Sequence, residues 1–352
     1  MLILVVGQGC SPPIELEVGD STSVVTLTAN GECLVVGSDR VRLLQVKDGK
    51  EMTRIETGRG IVRCLAVSRD SKFIAAGTSL GDVTVWDTKT QEKVLAYTTN
   101  NGKYGIPIYA IDFSLHSTRL VVGTRNHTAL IFDVATGNIV QRLHPPLEIH
   151  WVIAAKYSPN GDRIATAIWR SVHVWDSNNG RMLARIDVGV STWNNTGLLW
   201  FSNHIFVLPD GTIQELDASS GLSVSEWPVP AADEHSCISL PPHGEFIAHS
   251  RYHTITFWDT STHAKLGLIR HPQTICSIAH SPDDQFLVIG GGKGKITIND
   301  LSRITVSLVF LWKIANLNHF LVSIIFPRSI QSLCLDYTML SGSPTFRSTA
   351  LH

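Results

Sequence analysis

A chain of 352 residues with 43% hydrophobic content can bury a sizeable core, and its length fits either two ordinary domains or one large all-β domain. A formal net charge of −1 and a pI near 6.9 exclude a protein that coats nucleic acid by bulk charge. The six cysteines (Cys10, Cys33, Cys64, Cys237, Cys276 and Cys334) never come within C-x-x-C spacing, and the four from Cys33 to Cys276 sit in apolar runs as small hydrophobes suited to a reducing compartment.

The first residues, MLILVVGQGCSPP, hold an apolar run of five with no basic start, too short for a secretory leader. Gly7-Gln8-Gly9 lacks the third glycine and the following helix of a dinucleotide fingerprint. Asn126-His127-Thr128 and Asn194-Asn195-Thr196 match a glycosylation acceptor, but without a leader the match carries little weight.

From residue 14 onward the chain repeats itself. Short apolar strands end in an aromatic-aspartate pair: Trp86-Asp87, Phe132-Asp133, Trp175-Asp176 and Trp258-Asp259. Aligning on the residue before the aspartate gives the anchors Gln45, Trp86, Phe132, Trp175, Leu216, Trp258 and Asn299, spaced by 41, 46, 43, 41, 42 and 41. Asp follows six of them, and Val46 alone breaks the rule. Within each unit an apolar strand leads through a turn such as Ser-Pro-Asn-Gly (158–161) or Ser-Pro-Asp-Asp (281–284) into a second strand of small residues. A β-branched third strand carries the anchor, and a polar turn leads to a fourth strand. A period near 40–45 of this kind marks a four-stranded propeller blade. The predicted fold is therefore all-β: a seven-bladed β-propeller of four-stranded antiparallel blades with a short irregular C-terminal extension. In such a ring the large anchor side chains fill the space between blades, and the aspartates accept backbone N–H groups in the turns after them.

These residues resemble the WD-repeat family over roughly residues 14–302, most specifically in the three Trp-Asp blades. The family often carries a buried His–Ser/Thr–Asp–Trp hydrogen-bond network. Its Asp position, six residues before the Trp, holds Leu80, Trp169 and Tyr252 here, so the network is expected to be absent. The resemblance implies a propeller that holds partners and performs no chemistry. A related alternative is the sensing part of a larger multidomain protein, as in fungal NACHT-type nucleotide-binding proteins. A propeller enzyme is the third reading, one that an acid- or metal-lined channel would favour.

The expected boundaries are an N-terminal segment 1–13, the propeller 14–302 and a partly disordered extension 303–352. Residues 14–18 (IELEV) and 304–310 (ITVSLVF) compete for the outer strand of the last blade, with 14–18 preferred. The apolar stretch 304–326 is long enough to raise a membrane span, but Lys313, Asn316, Asn318 and His319 near its middle oppose one. The abrupt start and the loss of pattern after residue 303 point to a piece of a larger protein or an imperfect gene reading.

Chemistry is sparse. The Gly-rich run 290–295 (GGGKGK) has Ile289 and Ile296 where a phosphate loop needs Gly and Ser/Thr. His249 and His253 lie four apart, yet in β-structure they do not form a helical zinc pair. No G-x-S-x-G elbow occurs. No catalytic residue, metal or cofactor is expected.

Binding is expected on the loops of one face. Arg40, Arg125, Arg170, Arg251 and Lys293 fall near the loop between second and third strands in five of the seven units, and read either as ordinary solvated surface or as a basic rim around the channel mouth. Trp151, Trp169 and Trp193 cluster around the fourth unit, and Trp and Arg are enriched in binding hot spots. The expected partner site is Trp151, Trp169, Arg170 and Trp193, flanked by Arg125, Arg251 and Tyr252. The expected partner is a protein or peptide, acidic or phosphorylated, with no direct nucleic acid and no membrane. The chain is expected to be a cytoplasmic scaffold, monomeric on its own.

Overall fold

The computed structural model describes residues 13–18, 24–99, 105–145, 150–188, 197–209, 211–230 and 236–301. The stretch 304–326, the extension 303–352, nearly all of segment 1–13, and Trp193 lie outside the described residues. Within them the chain forms seven four-stranded antiparallel sheets. In the first six, the strands follow one another outward in chain order over 24–55, 62–98, 108–143, 154–187, 198–228 and 238–270. The innermost strands pack on one another from each sheet to the next, and Val24–Leu27 meets both Val62–Val67 and Ile275–His280, so the ring closes.

Closure uses the far end of the chain. Ile14–Glu17 adds as the outer strand of the seventh blade, antiparallel to Lys295–Asp300, with Ile14 opposite Ile298 and Glu17 opposite Lys295. Glu15 also reaches the Lys295 ammonium at 2.7 Å.

The apolar side chains do not form one core. They gather in seven clusters, each straddling the boundary between two blades. The reason is geometric. A blade has two faces and alternating side chains, so it hides both only by packing on two neighbours. The anchor of each of blades one to six packs toward the blade before it. Trp86, Phe132 and Trp175 are 1%, 0% and 3% exposed, Leu216 is buried, and Trp258 is half-buried against the blade-five cluster. Tyr97 on the outer strand of blade two meets Phe132 edge-on at 5.0 Å across the same boundary. Small residues admit this closeness. A Cβ on Gly77 would lie 2.4 Å from the Ile108 methyl of the next blade, and Gly37 and Gly123 face Val62 and Val152 in the same way.

The first blade corrects the alignment expected from sequence. Leu34 pairs with Leu44 where Ile74 pairs with Trp86, and Cys33 pairs with Gln45 where Phe73 pairs with Asp87. The anchor is therefore Leu44, 4% exposed in the cluster shared with blade seven, and Gln45 takes the aspartate's place. A blade without Trp or Asp at these positions carries no chemical marker of register, so spacing alone misplaces it by one residue.

One link of the hydrogen-bond network is present in one blade, although its Asp position there holds Trp169. The Trp175 indole N–H donates to Thr166 Oγ1 at 2.8 Å. In blade two the matching second-strand position is Ala76, and the buried Trp86 indole nitrogen has no partner.

Asp87, Asp133, Asp176, Asp217 and Asp259 each accept from groups two or three residues ahead in the turn between third and fourth strands. The backbone N–H of Thr90, Thr136, Asn178 and Ser220 respectively is the main influence holding Asp87, Asp133, Asp176 and Asp217 below the ordinary carboxylate range.

Two outcomes are expected. Trp86→Ala should lower unfolding free energy by about 3–5 kcal/mol, and Gly77→Ala by about 1–3 kcal/mol through overpacking, both read by chemical denaturation. Asp87, Asp133, Asp176 and Asp217 have folded-state values below the unfolded value near ~3.9. Their contribution is therefore complete above the unfolded value and is lost as pH falls through the lowered folded values. The melting temperature should slip below about pH 6.5, where the unfolded chain protonates His271 and His280 that burial holds low in the fold, and fall further below about pH 4, with a shallower second fall in Asp87→Ala/Asp176→Ala.

Candidate functional site

The antiparallel order gives the two ends of the ring different loops. A first strand that starts at one end finishes at the other, so the loops between second and third strands and those linking blades share one face. The aspartate turns lie on the opposite face. The rim cations expected from sequence all fall on the first face, but they are not equivalent. Arg40 is held by Asp39 at 2.7 Å and Glu56 at 3.5 Å, and an exposed ion pair leaves little net field. Arg59 on the blade-one-to-two link pairs with Asp82 at 3.5 Å. No carboxylate of the described residues pairs with Arg63, Arg125 or Arg170, all exposed. Arg251 lies over the ring of its neighbour Tyr252 at 5.1 Å, and Lys293 is exposed at the tip of the hairpin turn that the Gly-rich run makes.

The site residues expected from sequence separate into groups. Trp151 and Arg125 are in contact, with the guanidinium carbon 4.2 Å from the ring centre. Backbone bonds bring them together: Val152 N–H donates to the Thr124 carbonyl at 3.1 Å, and Arg125 N–H to the Pro107 carbonyl at 3.0 Å. Val152 itself is fully buried, so the link into blade four is pinned to the corner of blade three and Trp151 is left at the rim. Trp169 is half-buried and meets the His150 ring edge-on at 4.7 Å, with Arg170 exposed beside it in the chain. Tyr252 is 51% exposed on blade six, two blades away. Trp193 lies outside the described residues.

Two residues that sequence reasoning missed join the first group. Tyr109 stacks on Trp151 with centres 5.6 Å apart and planes 7° from parallel, and Arg63 lies over the Tyr109 ring at 5.4 Å. Both come from the start of an innermost strand at a β-bulge. The pairing jumps from Val62 to Cys64 in blade two, and from Ile108 to Ala110 in blade three. A bulge leaves its extra residue outside the ladder and re-aims the side chain. The result is a run of four groups, Arg63–Tyr109–Trp151–Arg125, spanning blades two to four. The only signal in sequence was the chemical type of two residues inside strands, where alternation suggests burial.

Elsewhere the chemistry is structural. Ser239 Oγ and His280 Nδ1 are 2.8 Å apart, but His280 is half-buried beside Phe246, desolvation pushes it down to about 4, and its Nε2 has no partner to orient it for base catalysis. His249 is buried in its strand while His253 is exposed, so the two share no site. Among the described residues no group of three or more His, Cys, Asp or Glu is placed to hold a metal, and no helix is long and apolar enough to cross a membrane.

Comparison with known proteins adds a second line. The family model described as nucleolar protein 10-like, N-terminal domain, matches residues 20–224, and that of the WD domain, G-beta repeat, matches residues 265–300. The chain is similar to WD repeat-containing protein 18 of Danio rerio, with 23% identity over 76% of this chain and 68% of that protein. It is similar to the U3 small nucleolar RNA-associated protein 15 homolog of Gallus gallus, with 18% identity over 79% of this chain and 45% of that protein. It is also similar to nucleolar protein 10 of Xenopus laevis, with 25% identity over 48% of this chain and 26% of that protein. The matched part thus spans less than half the length of the latter two. These matches overturn the expected cytoplasmic location, because the family model and two of the three relatives carry nucleolar names. They give no support to the NACHT-type relation.

A double-mutant cycle on Arg125→Ala and Trp151→Leu should return a coupling of about 0.5–1 kcal/mol in unfolding free energy. Additive effects would show that the guanidinium and the ring do not interact.

Proposed function

The chain belongs to the family of nucleolar protein 10-like N-terminal domains, a WD-repeat β-propeller family, and from that premise we propose that it is a protein-interaction scaffold working in a nucleolar assembly. Propellers of this kind generally act as non-catalytic scaffolds. The functional unit proposed is the ring, residues 14–302.

One observation carries the reading. Cations without a carboxylate partner among the described residues, Arg63, Arg125 and Arg170, collect with Trp151 and Trp169 on one face, while Arg40 and Arg59 on the same face pair with carboxylates. Exposed guanidinium charge that no carboxylate neutralises steers acidic partners, and Trp and Arg are enriched in binding hot spots. The protein-docking part of this face is Trp169 and Arg170, bordered by Trp151 and Arg125, with Arg251 and Tyr252 further round the face. It suits an acidic or phosphorylated segment, which guanidinium groups bind through paired hydrogen bonds. Trp193 belongs to the proposed site on its sequence position alone.

Two measurements check this. A fluorescently tagged full chain expressed in cells should concentrate in the nucleolus, and a diffuse cytoplasmic signal would remove the location. Affinity purification of Trp169→Ala/Arg170→Ala should lose protein partners that the original chain retains. An identical partner set with an unchanged melting temperature would remove the docking site.

A further inference from the structure

The run Arg63–Tyr109–Trp151–Arg125 has a chemistry that a protein scaffold alone does not require. We propose that it is a binding site for single-stranded RNA, in which unpaired bases stack on the exposed Arg63 and Arg125 guanidinium planes that the Tyr109–Trp151 pair braces, and these cations with Arg170 attract the phosphate backbone.

Three features favour this occupant. Tyr109 and Trp151 stack on one another, 7° from parallel, and so form a stiff support under the two guanidinium groups. Each ring also carries a guanidinium at 5.4 or 4.2 Å, and a planar guanidinium is itself a surface on which a base can stack. Arg63, Arg125 and Arg170 have no carboxylate partner among the described residues, and they run along the rim from blade two to blade four as a track for a charged backbone. An acidic peptide would need the charge of these cations but not guanidinium planes braced by rings, and the proposed protein-docking site is centred on Trp169 and Arg170 instead. The near-neutral chain, with its net charge of −1, excludes coating by bulk charge but not a local site of this kind. The proposal thus goes beyond the sequence expectation of no direct nucleic acid. Its position rests on strand register: the two bulges and the Val152–Thr124 bond bring residues of three blades into one stack.

The site borders the proposed protein-docking site at Trp151, Arg125 and Arg170, so its test uses only the purified full chain and pure ligands. Fluorescence anisotropy is followed with a short labelled oligoadenylate, the matching duplex RNA, and a poly-glutamate peptide. Oligoadenylate should bind, and the duplex, whose bases are already stacked, should bind much more weakly. With three cations on the backbone, log affinity should fall with log salt at a slope of about −2. Tyr109→Ala and Trp151→Leu should each weaken binding at least fivefold without changing that slope. Arg63→Gln/Arg125→Gln should make the slope shallower.

Failure of oligoadenylate to bind would overturn the proposal, as would binding that survives loss of both rings. Tighter binding of poly-glutamate, lost with the same arginines but not with the rings, would also overturn it and assign the surface to an acidic protein. Tyr109 and Trp151 are both half-buried, so if either ring variant lowers the melting temperature, the deciding variant is Arg63→Glu, at an exposed position. It should weaken binding at unchanged stability, and unchanged binding would overturn the proposal.

Discussion

The packing of one blade against the next is the interaction on which everything else depends. None of the seven apolar clusters lies within a single sheet, and each draws its residues from two neighbours. A blade is therefore stable only as a member of the ring, and the ring is complete only when the last blade meets the first. Ile14–Glu17 secures that meeting, because it ties the start of the chain into the sheet formed by its end. The same logic explains where bulk and smallness alternate. Trp86 and Phe132 wedge into the boundary near the outer part of the blade, while Gly37, Gly77 and Gly123 let the inner strands come close.

Close inner packing has a consequence at the rim. Where the first strands of blades two and three start, each carries an extra residue in a bulge, and those residues are Arg63 and Tyr109. The link into blade four is pinned by backbone bonds to the corner of blade three, which sets Trp151 beside Arg125 and Tyr109. A rigid ring thus presents a preorganised surface, and its groups need little further ordering when a partner arrives. The opposite face is occupied by aspartate turns whose carboxylates are spent on their own backbones. The two ends of the ring are chemically different for this reason: one turns its charged groups inward on its own loops, and the other sets guanidinium groups beside rings.

Much of the architecture was legible because the same steric task recurs seven times and leaves a periodic trace. A large anchor before an aspartate is readable wherever the anchor is aromatic, as at Trp86, Phe132 and Trp175. Blade one shows where the trace fails: Leu44 and Gln45 fill the two positions with ordinary residues, and spacing alone sets the register one residue late. The candidate site was legible in part. Trp151 and Arg125 stand in loops, where large or charged side chains are conspicuous. Arg63 and Tyr109 stand in strands, where a side chain's direction depends on a bulge that no local residue pattern announces.

The sequence by itself determined the repeat, the number of blades and which face carries the cations, because these follow from strand order and from the spacing of groups that must be buried. Only the tertiary structure decided which strand closes the ring, which arginines are neutralised and which rings stack. Those facts depend on residues far apart in the chain, such as Ile14 with Ile298 or Arg63 with Tyr109. Contacts of that kind come from how one sheet seats on the next, through small shifts that composition and periodicity do not encode.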